Sequence, residues 1–301
     1  MRTRVFSHFL TAAFCIASIA ASSSGQTPDR TGEPDQKLVK LTGISTPVKT
    51  NPLIPRIEKV CPAESGRVAM RVLNEYGSMF AAAESVTTPA TCVFRNEVDV
   101  QAFQGTIKTA VGSFGRVTIE LQEAAMAALL RAMVEAQVRR LRITPLDGAI
   151  AGRRSYSDTT RLWNSRFLPA LSYWTRIGKI TVKDAEAARS MAIADQAEKV
   201  LEWESKGLLF GTGRIKSIFA STAPPGTSQH LSLLAFDVAE YGNSNVREIL
   251  NRNGWYQTVV NDPPHFTYLG IDKRELPGRG LKAVRQGQYE FWIPDLGGVR
   301  H

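Results

Sequence analysis

GTSQHLSLLAFDV, residues 226–238, sets a histidine and an aspartate on either side of an apolar run. His230 opens it, Asp237 stands near its end, and mostly leucine, alanine and phenylalanine lie between. In an extended strand, positions two apart share a face, so Asp237 would share its face with Ala235 and Leu233. An ionised carboxylate on a half-buried face is costly unless it is paired, hydrogen-bonded or bound to a metal. Two readings follow from these residues alone. Asp237 caps a turn and His230 sits on a surface loop, or the two belong to a metal site.

The next stretch downstream supplies what a metal site would need. WYQTVV (255–260) and HFTYLG (265–270) read as two strands joined by Asn261-Asp262-Pro263-Pro264. The chain has four histidines. His8 falls in the leader described below and His301 is the last residue, which leaves His230 and His265, each at a strand edge near a carboxylate (Asp237 and Asp262). A catalytic zinc takes three protein ligands from nitrogen and oxygen donors and keeps a fourth position for water. Two imidazoles and one carboxylate meet that requirement.

Upstream of this segment the pattern is helical. VTIELQEAAMAALLRAMVEAQVRRL (117–141) is the clearest helix, with Met126, Leu129, Leu130, Met133, Val134, Val138 and Leu141 on one side as core. GRVAMRVLNEYGSMF (66–80) fits a short helix or a strand pair, and LRITPL a short strand ending at Pro145. SDTTRLWNSRFL reads as a helix capped by Ser157 or Asp158, and residues 181–207 as one long helix capped by Thr181 and ended by Gly207. GRIKSIFAS alternates like a strand, and NSNVREILNRNG is a helix closed by Gly254. Helices first and a small sheet afterwards argue for an α+β fold in one domain over 56–301, with an irregular Gly- and Pro-rich tail after residue 270.

The rest of the chain bounds the setting. With 301 residues and 43% apolar content it can bury a sizeable core. Its net charge of +9 suits an anionic partner such as nucleic acid, lipid or cell wall, but the basic residues are scattered. The short cluster Arg139-Arg140-Leu141-Arg142 reads as a solvated helix end, not a nucleic-acid groove. Residues 1–25 read as a secretory signal: Arg2 and Arg4, then the apolar VFSHFLTAAFCIASIAA, then small residues for cleavage. Residues 26–55 read as a flexible linker. Export removes Cys15 with the leader, and the remaining Cys61 and Cys92 most simply form one disulfide. It would contribute on the order of 3 kcal/mol in the chain-entropy view.

The residues also carry a family resemblance. Ser228, His230, Ala235 and Asp237 resemble the Ser-x-His and Ala-x-Asp signature of VanY-like D-alanyl-D-alanine carboxypeptidases, zinc peptidases of the lysostaphin, D-Ala-D-Ala peptidase and hedgehog group. NGWYQTVVNDPPHFTYLG is similar to that family's second motif, in which a carboxylate precedes a zinc histidine by three residues. GRRSYSDTTRLW resembles its Tyr-Arg-Ser-Tyr stretch. The resemblance spans roughly residues 119–270 and implies a hedgehog/D-Ala-D-Ala-peptidase-like fold, a small antiparallel sheet carrying a zinc site between helices. It implies one zinc ion on His230, Asp237 and His265, with Asp262 as general base and then general acid. Arg154 and Ser228 are then the substrate-binding residues, Arg154 on the terminal carboxylate. Three positions depart from the family: Leu233 stands where glycine is usual, Asp262 where glutamate is usual, and Thr159 where glutamine is common. A leucine at 233 leads us to expect a differently shaped or narrower cleft, and the shorter Asp262 a carboxylate short of the reacting water unless the double proline compensates.

The activity so implied is a zinc-dependent D-alanyl-D-alanine carboxypeptidase on peptidoglycan stem peptides, a metal-activated water attacking the terminal peptide bond. The departures keep open a non-catalytic zinc-containing peptidoglycan-binding protein, and a cell-wall endopeptidase is a third reading. The expected partners are peptidoglycan peptides, with no nucleic acid and no membrane beyond the leader. The chain is expected to be an extracytoplasmic monomer.

Overall fold

In the computed structural model, which describes residues 51–62 and 66–297, the chain opens with helix α1 (Leu53–Val60), followed by α2 (Gly66–Tyr76) and a 3-10 turn, Gly77–Ala81. The signal at 1–25, most of the 26–55 linker and His301 lie outside the described residues, and α1 begins inside the stretch read as linker. A disulfide joins Cys61 to Cys92 with the Cα atoms 5.4 Å apart, as the cysteine count suggests. Helix α3 (Glu97–Gln104) is capped by Asn96, whose side chain accepts from the Asp99 amide at 2.9 Å.

A hairpin of β1 (Thr109–Phe114) and β2 (Val117–Gln122) leads into α4 (Glu123–Val138). The expected helix over 117–141 therefore starts six residues later. In VTIELQ, Ile119 and Leu121 are buried with the exposed Thr118 and half-buried Glu120 between or beside them, a two-residue period. The buried face of α4 also differs from the expectation. Ala125, Ala128, Ala132 and Ala136 pack inward with Met126 and Leu129, while Leu130, Val134 and Val138 are 43, 63 and 81% exposed. Small side chains let α4 lie close against its neighbours, the β1–β2 hairpin and a later helix, and that closeness decides the face over side-chain size.

Residues 141–144 form no strand; Pro145 makes a lone bridge to Val238. Helix α5 (Tyr156–Arg176) is capped by Ser155, two or three residues before the expected cap. Ser155 and Asp158 form a reciprocal capping box, with Ser155 Oγ accepting from the Asp158 amide at 3.0 Å. The stretch 181–207 is two helices, α6 (Val182–Ser190) and α7 (Ile193–Ser205), with Thr181 as the cap of the first. Met191 and Ala192 are extended between them. The buried Gln196 makes the break tolerable, donating to the Ala188 carbonyl at 2.9 Å and accepting from Trp163 Nε1 at 2.6 Å. GRIKSIFAS is two 3-10 turns instead of a strand, because Glu204 gathers it by accepting from the Ser217 hydroxyl at 2.6 Å and the Ile218 amide at 2.7 Å.

Strand β3 (Ala235–Asp237), helix α8 (Ser244–Arg252), and strands β4 (Trp255–Gln257) and β5 (His265–Tyr268) complete the region of the motifs. They form an antiparallel sheet in the order β3-β5-β4, as the strand readings expect. The tail is not irregular: β6 (Leu281–Gln286) and β7 (Tyr289–Pro294) form a hairpin tied back by Ser78 Oγ donating to the Trp292 carbonyl at 2.8 Å. Eight α-helices and three small antiparallel sheets among the described residues make the fold α+β. None of the described helices is long and apolar enough to cross a membrane.

Candidate metal centre

The sheet register builds the site. Phe236 of β3 pairs with Phe266 of β5, and the next pair is Asp237 with His265. Because side chains alternate, Phe236 and Phe266 turn to the apolar core with Trp255, while Asp237 and His265 share the opposite face. His230 arrives from a 3-10 turn, Gln229–Ser232, rather than from the strand that LSLLAFDV suggests. After the turn Leu233 adopts the left-handed conformation, φ 57° and ψ 26°. A leucine there carries about 1–2 kcal/mol of backbone strain, which explains why glycine suits the position. The side chain is wholly buried and is not among the residues that line the cavity described below.

Three donor atoms converge. His230 Nε2 and His265 Nδ1 are 3.1 Å apart, and Asp237 Oδ1 lies 3.3 Å from the first and 3.2 Å from the second. The outward nitrogen of each ring meets an oxygen that can only accept. His230 Nδ1 donates to the Gly152 carbonyl at 2.7 Å, and His265 Nε2 donates to Gln229 Oε1 at 2.7 Å. With its outer nitrogen so engaged, each ring turns its other nitrogen inward, where it can ligate a cation. Burial, reinforced by the nearby Arg154 charge, lowers the His230 pKa to about 4, so that ring is neutral at pH 7. Burial alone would raise Asp237, but His230, protonated in the acid range where this carboxyl titrates, and Arg154 outweigh it and hold the carboxyl well below the usual range. Two imidazole lone pairs and a carboxylate oxygen facing one another are satisfied by a cation. Donors about 2.0–2.1 Å from a tetrahedral metal stand about 3.3–3.4 Å apart, close to the observed triangle. Among the described residues these three form the group able to hold a metal ion.

All six residues expected from the sequence (Arg154, Ser228, His230, Asp237, Asp262 and His265) line one cavity of about 230 Å³. Four roomier hollows, of about 390 to 740 Å³, contain no histidine. Arg154 is half-buried and committed to the centre. Its Nη2 donates to Asp237 Oδ2 at 2.5 Å and its Nε to the Ile150 carbonyl at 2.9 Å. Asp262 sits in a turn, its amide donating to the Val259 carbonyl and its carbonyl accepting from the His265 amide, both at 3.1 Å. Gln257 Nε2 anchors the double proline by donating to the Pro263 carbonyl at 2.5 Å. The Asp262 carboxylate accepts no hydrogen bond among the described residues and keeps a solvent-facing side. The protein packed around it raises its pKa; His265 opposes the rise and Asp237 adds to it. The Ser228 hydroxyl is likewise uncommitted among the described residues.

Sequence reasoning missed Gln229, Gly152 and Arg166. Gln229 is 1% exposed, and its burial between the motif's serine and histidine was hidden because a 3-10 turn, not a strand, carries it. Gly152 acts through its carbonyl, which leaves no side-chain signature. An added Cβ there would lie 2.7 Å from the Ile119 side chain, so glycine lets this loop close on β2. Arg166 stands on the cavity wall with its buried Nε unpartnered among the described residues.

No family model and no curated protein matches the chain. Among solved structures it is similar to a variant of the vancomycin-resistance D,D-pentapeptidase VanY from a VanB-type resistance cassette, in complex with Zn(II). The two share 14% identity with a TM-score of 0.32, over 62% of this chain and 87% of the other. Agreement at that level leaves the fold and the site to be argued from this chain's own residues.

Proposed function

We propose that the chain is an exported zinc-dependent peptidase that releases the terminal residue of peptidoglycan stem peptides. The observation that carries the reading is the convergence of the His230, Asp237 and His265 lone pairs on the wall of one cavity that also holds Asp262. A donor set of two imidazoles and one carboxylate suits zinc. Bound there, zinc supplies Lewis acidity and a water whose pKa falls toward neutrality.

The chain's own residues then have distinct tasks. The Gly152 carbonyl and the Gln229 amide oxygen hold the outer nitrogens of His230 and His265 and so turn their inner nitrogens to the centre. Arg154 orients Asp237 and balances its charge while also lining the cavity, where it can meet a substrate carboxylate. Asp262, free of hydrogen-bond partners and raised in pKa, takes a proton from the attacking water and returns it to the leaving amine. Ser228 offers a hydroxyl to the peptide backbone. A cavity of about 230 Å³, below the ~300–1,000 Å³ usual for drug-sized ligands, admits a short chain end.

The test is D-alanine release from a pentapeptide ending in D-Ala-D-Ala. The zinc-loaded wild type releases D-alanine, and Asp262→Asn lowers kcat by about 100- to 10,000-fold without loss of zinc. Zinc retention with no release of any product identifies a non-catalytic wall binder. Cleavage inside the stem or cross-bridge, read by mass spectrometry of muropeptides, identifies an endopeptidase.

A further inference from the structure

The orientation of Gln229 is decided far from the motifs. Its Nε2 donates to the carbonyl oxygen of Tyr76 at 2.6 Å. Tyr76 ends α2 and caps the 3-10 turn that follows, and a carbonyl has two lone pairs, so this oxygen can also accept from a side-chain donor. A carbonyl can only accept, so the amide nitrogen must face Tyr76 and Oε1 must face the other way. On that side Oε1 meets His265 Nε2 at 2.7 Å, Thr267 Oγ1 at 2.5 Å and Thr258 Oγ1 at 3.3 Å. An oxygen there obliges His265 to carry its proton on Nε2, which leaves the Nδ1 lone pair facing His230 and Asp237. Reversing the amide would set its NH₂ against His265 and favour the other tautomer, with a proton where the metal must bind.

We infer that Gln229 is a positioning residue of the metal centre, locking His265 in its metal-binding tautomer, and that the Tyr76 carbonyl at the end of α2 sets that lock. The inference rests on the zinc reading of the site and goes beyond it. It gives a task to α2, which lies upstream of the motif-bearing region and supplies no ligand. Ser232 strengthens the same joint, donating to the Gln229 carbonyl at 2.6 Å and lying 3.6 Å from Met79 Sδ. The mechanism is a hydrogen bond to the ring nitrogen remote from the metal, which fixes tautomer and raises ligand basicity.

Two substitutions separate this role from simple packing. Gln229→Met removes both hydrogen-bonding ends, whereas Gln229→Glu removes the donor to Tyr76 but keeps an acceptor for His265 Nε2–H. Zinc affinity is measured by competition with a chromophoric chelator, and thermal melting of the chelator-treated proteins is measured beside it. We expect both variants to melt lower than wild type, Gln229→Met to bind zinc about 10- to 100-fold more weakly, and Gln229→Glu to bind within a few-fold of wild type. A purely structural residue would lower affinity equally in both variants, and that result overturns the inference, as does wild-type affinity in Gln229→Met. Nitrogen NMR of the zinc-loaded wild type gives an answer that needs no variant to fold: the His265 proton is expected on Nε2 and the metal on Nδ1, and the reverse arrangement overturns the assignment. Absence of zinc binding by the wild type itself defeats the zinc reading instead, and the affinity expectations with it.

Discussion

His265 on β5 stands directly across the sheet from Asp237 on β3, with Nδ1 3.2 Å from Oδ1. Twenty-seven residues separate them along the chain, but one antiparallel register step makes them neighbours. A ligand pair set by backbone pairing is stiff, because moving either side chain means breaking the ladder.

Metal should therefore stabilise the fold measurably. At a free zinc concentration about 100 times Kd, linkage gives about 2.7 kcal/mol. We expect zinc to raise the wild-type Tm, a chelator to reverse the rise, and His265→Ala to show neither effect and to retain no stoichiometric zinc. Calorimetry with metal analysis of both proteins checks this.

Arg154→Ala should show an interaction between stability and metal. The substitution leaves the half-buried Asp237 carboxylate without its guanidinium, and breaking a fully buried pair costs about 3–5 kcal/mol, an upper bound here. Zinc supplies the missing positive charge, so the deficit should be largest in the metal-free protein and shrink on loading. Urea denaturation of wild type and variant, with and without zinc, completes the cycle.

Leu233→Gly sets two effects against each other. Removing the left-handed leucine relieves about 1–2 kcal/mol of strain. It also empties a fully buried leucine site, which costs about 2–5 kcal/mol. We expect net destabilisation of about 1–3 kcal/mol with zinc affinity unchanged within a few-fold, since the backbone that aims His230 is retained. A stabilised variant would contradict this balance.

The metal-free protein should lose stability on mild acidification through His230. In the unfolded chain this group titrates near 6.5; in the fold, burial lowers it to about 4. Between those values the unfolded state binds a proton that the folded state refuses, so stability is full above about pH 6.5 and falls as the pH drops toward 4. The loss approaches about 3 kcal/mol. Urea midpoints in chelator near pH 7 and pH 4.5 test it, and His230→Gln should flatten the dependence.

The sequence determined the chemistry of the centre. Scarcity left His230 and His265 as the available imidazoles, and the spacing of Asp237 and Asp262 around them matched a metal-binding pattern, because donor type and order along the chain are written directly in the residues. It also determined the small antiparallel sheet and the pairing of Cys61 with Cys92, both properties of local pattern and count. The tertiary structure decided what depends on shape. Leu233 turned out to occupy a left-handed turn with its side chain in the core, which only backbone geometry reveals. The inward face of α4 followed the alanines, because close approach to its neighbours outweighed hydrophobic size. Arg154 met Asp237, and Gln229 met the carbonyl of Tyr76 across 153 residues of chain, since hydrogen bonds to backbone oxygens leave no mark in a sequence.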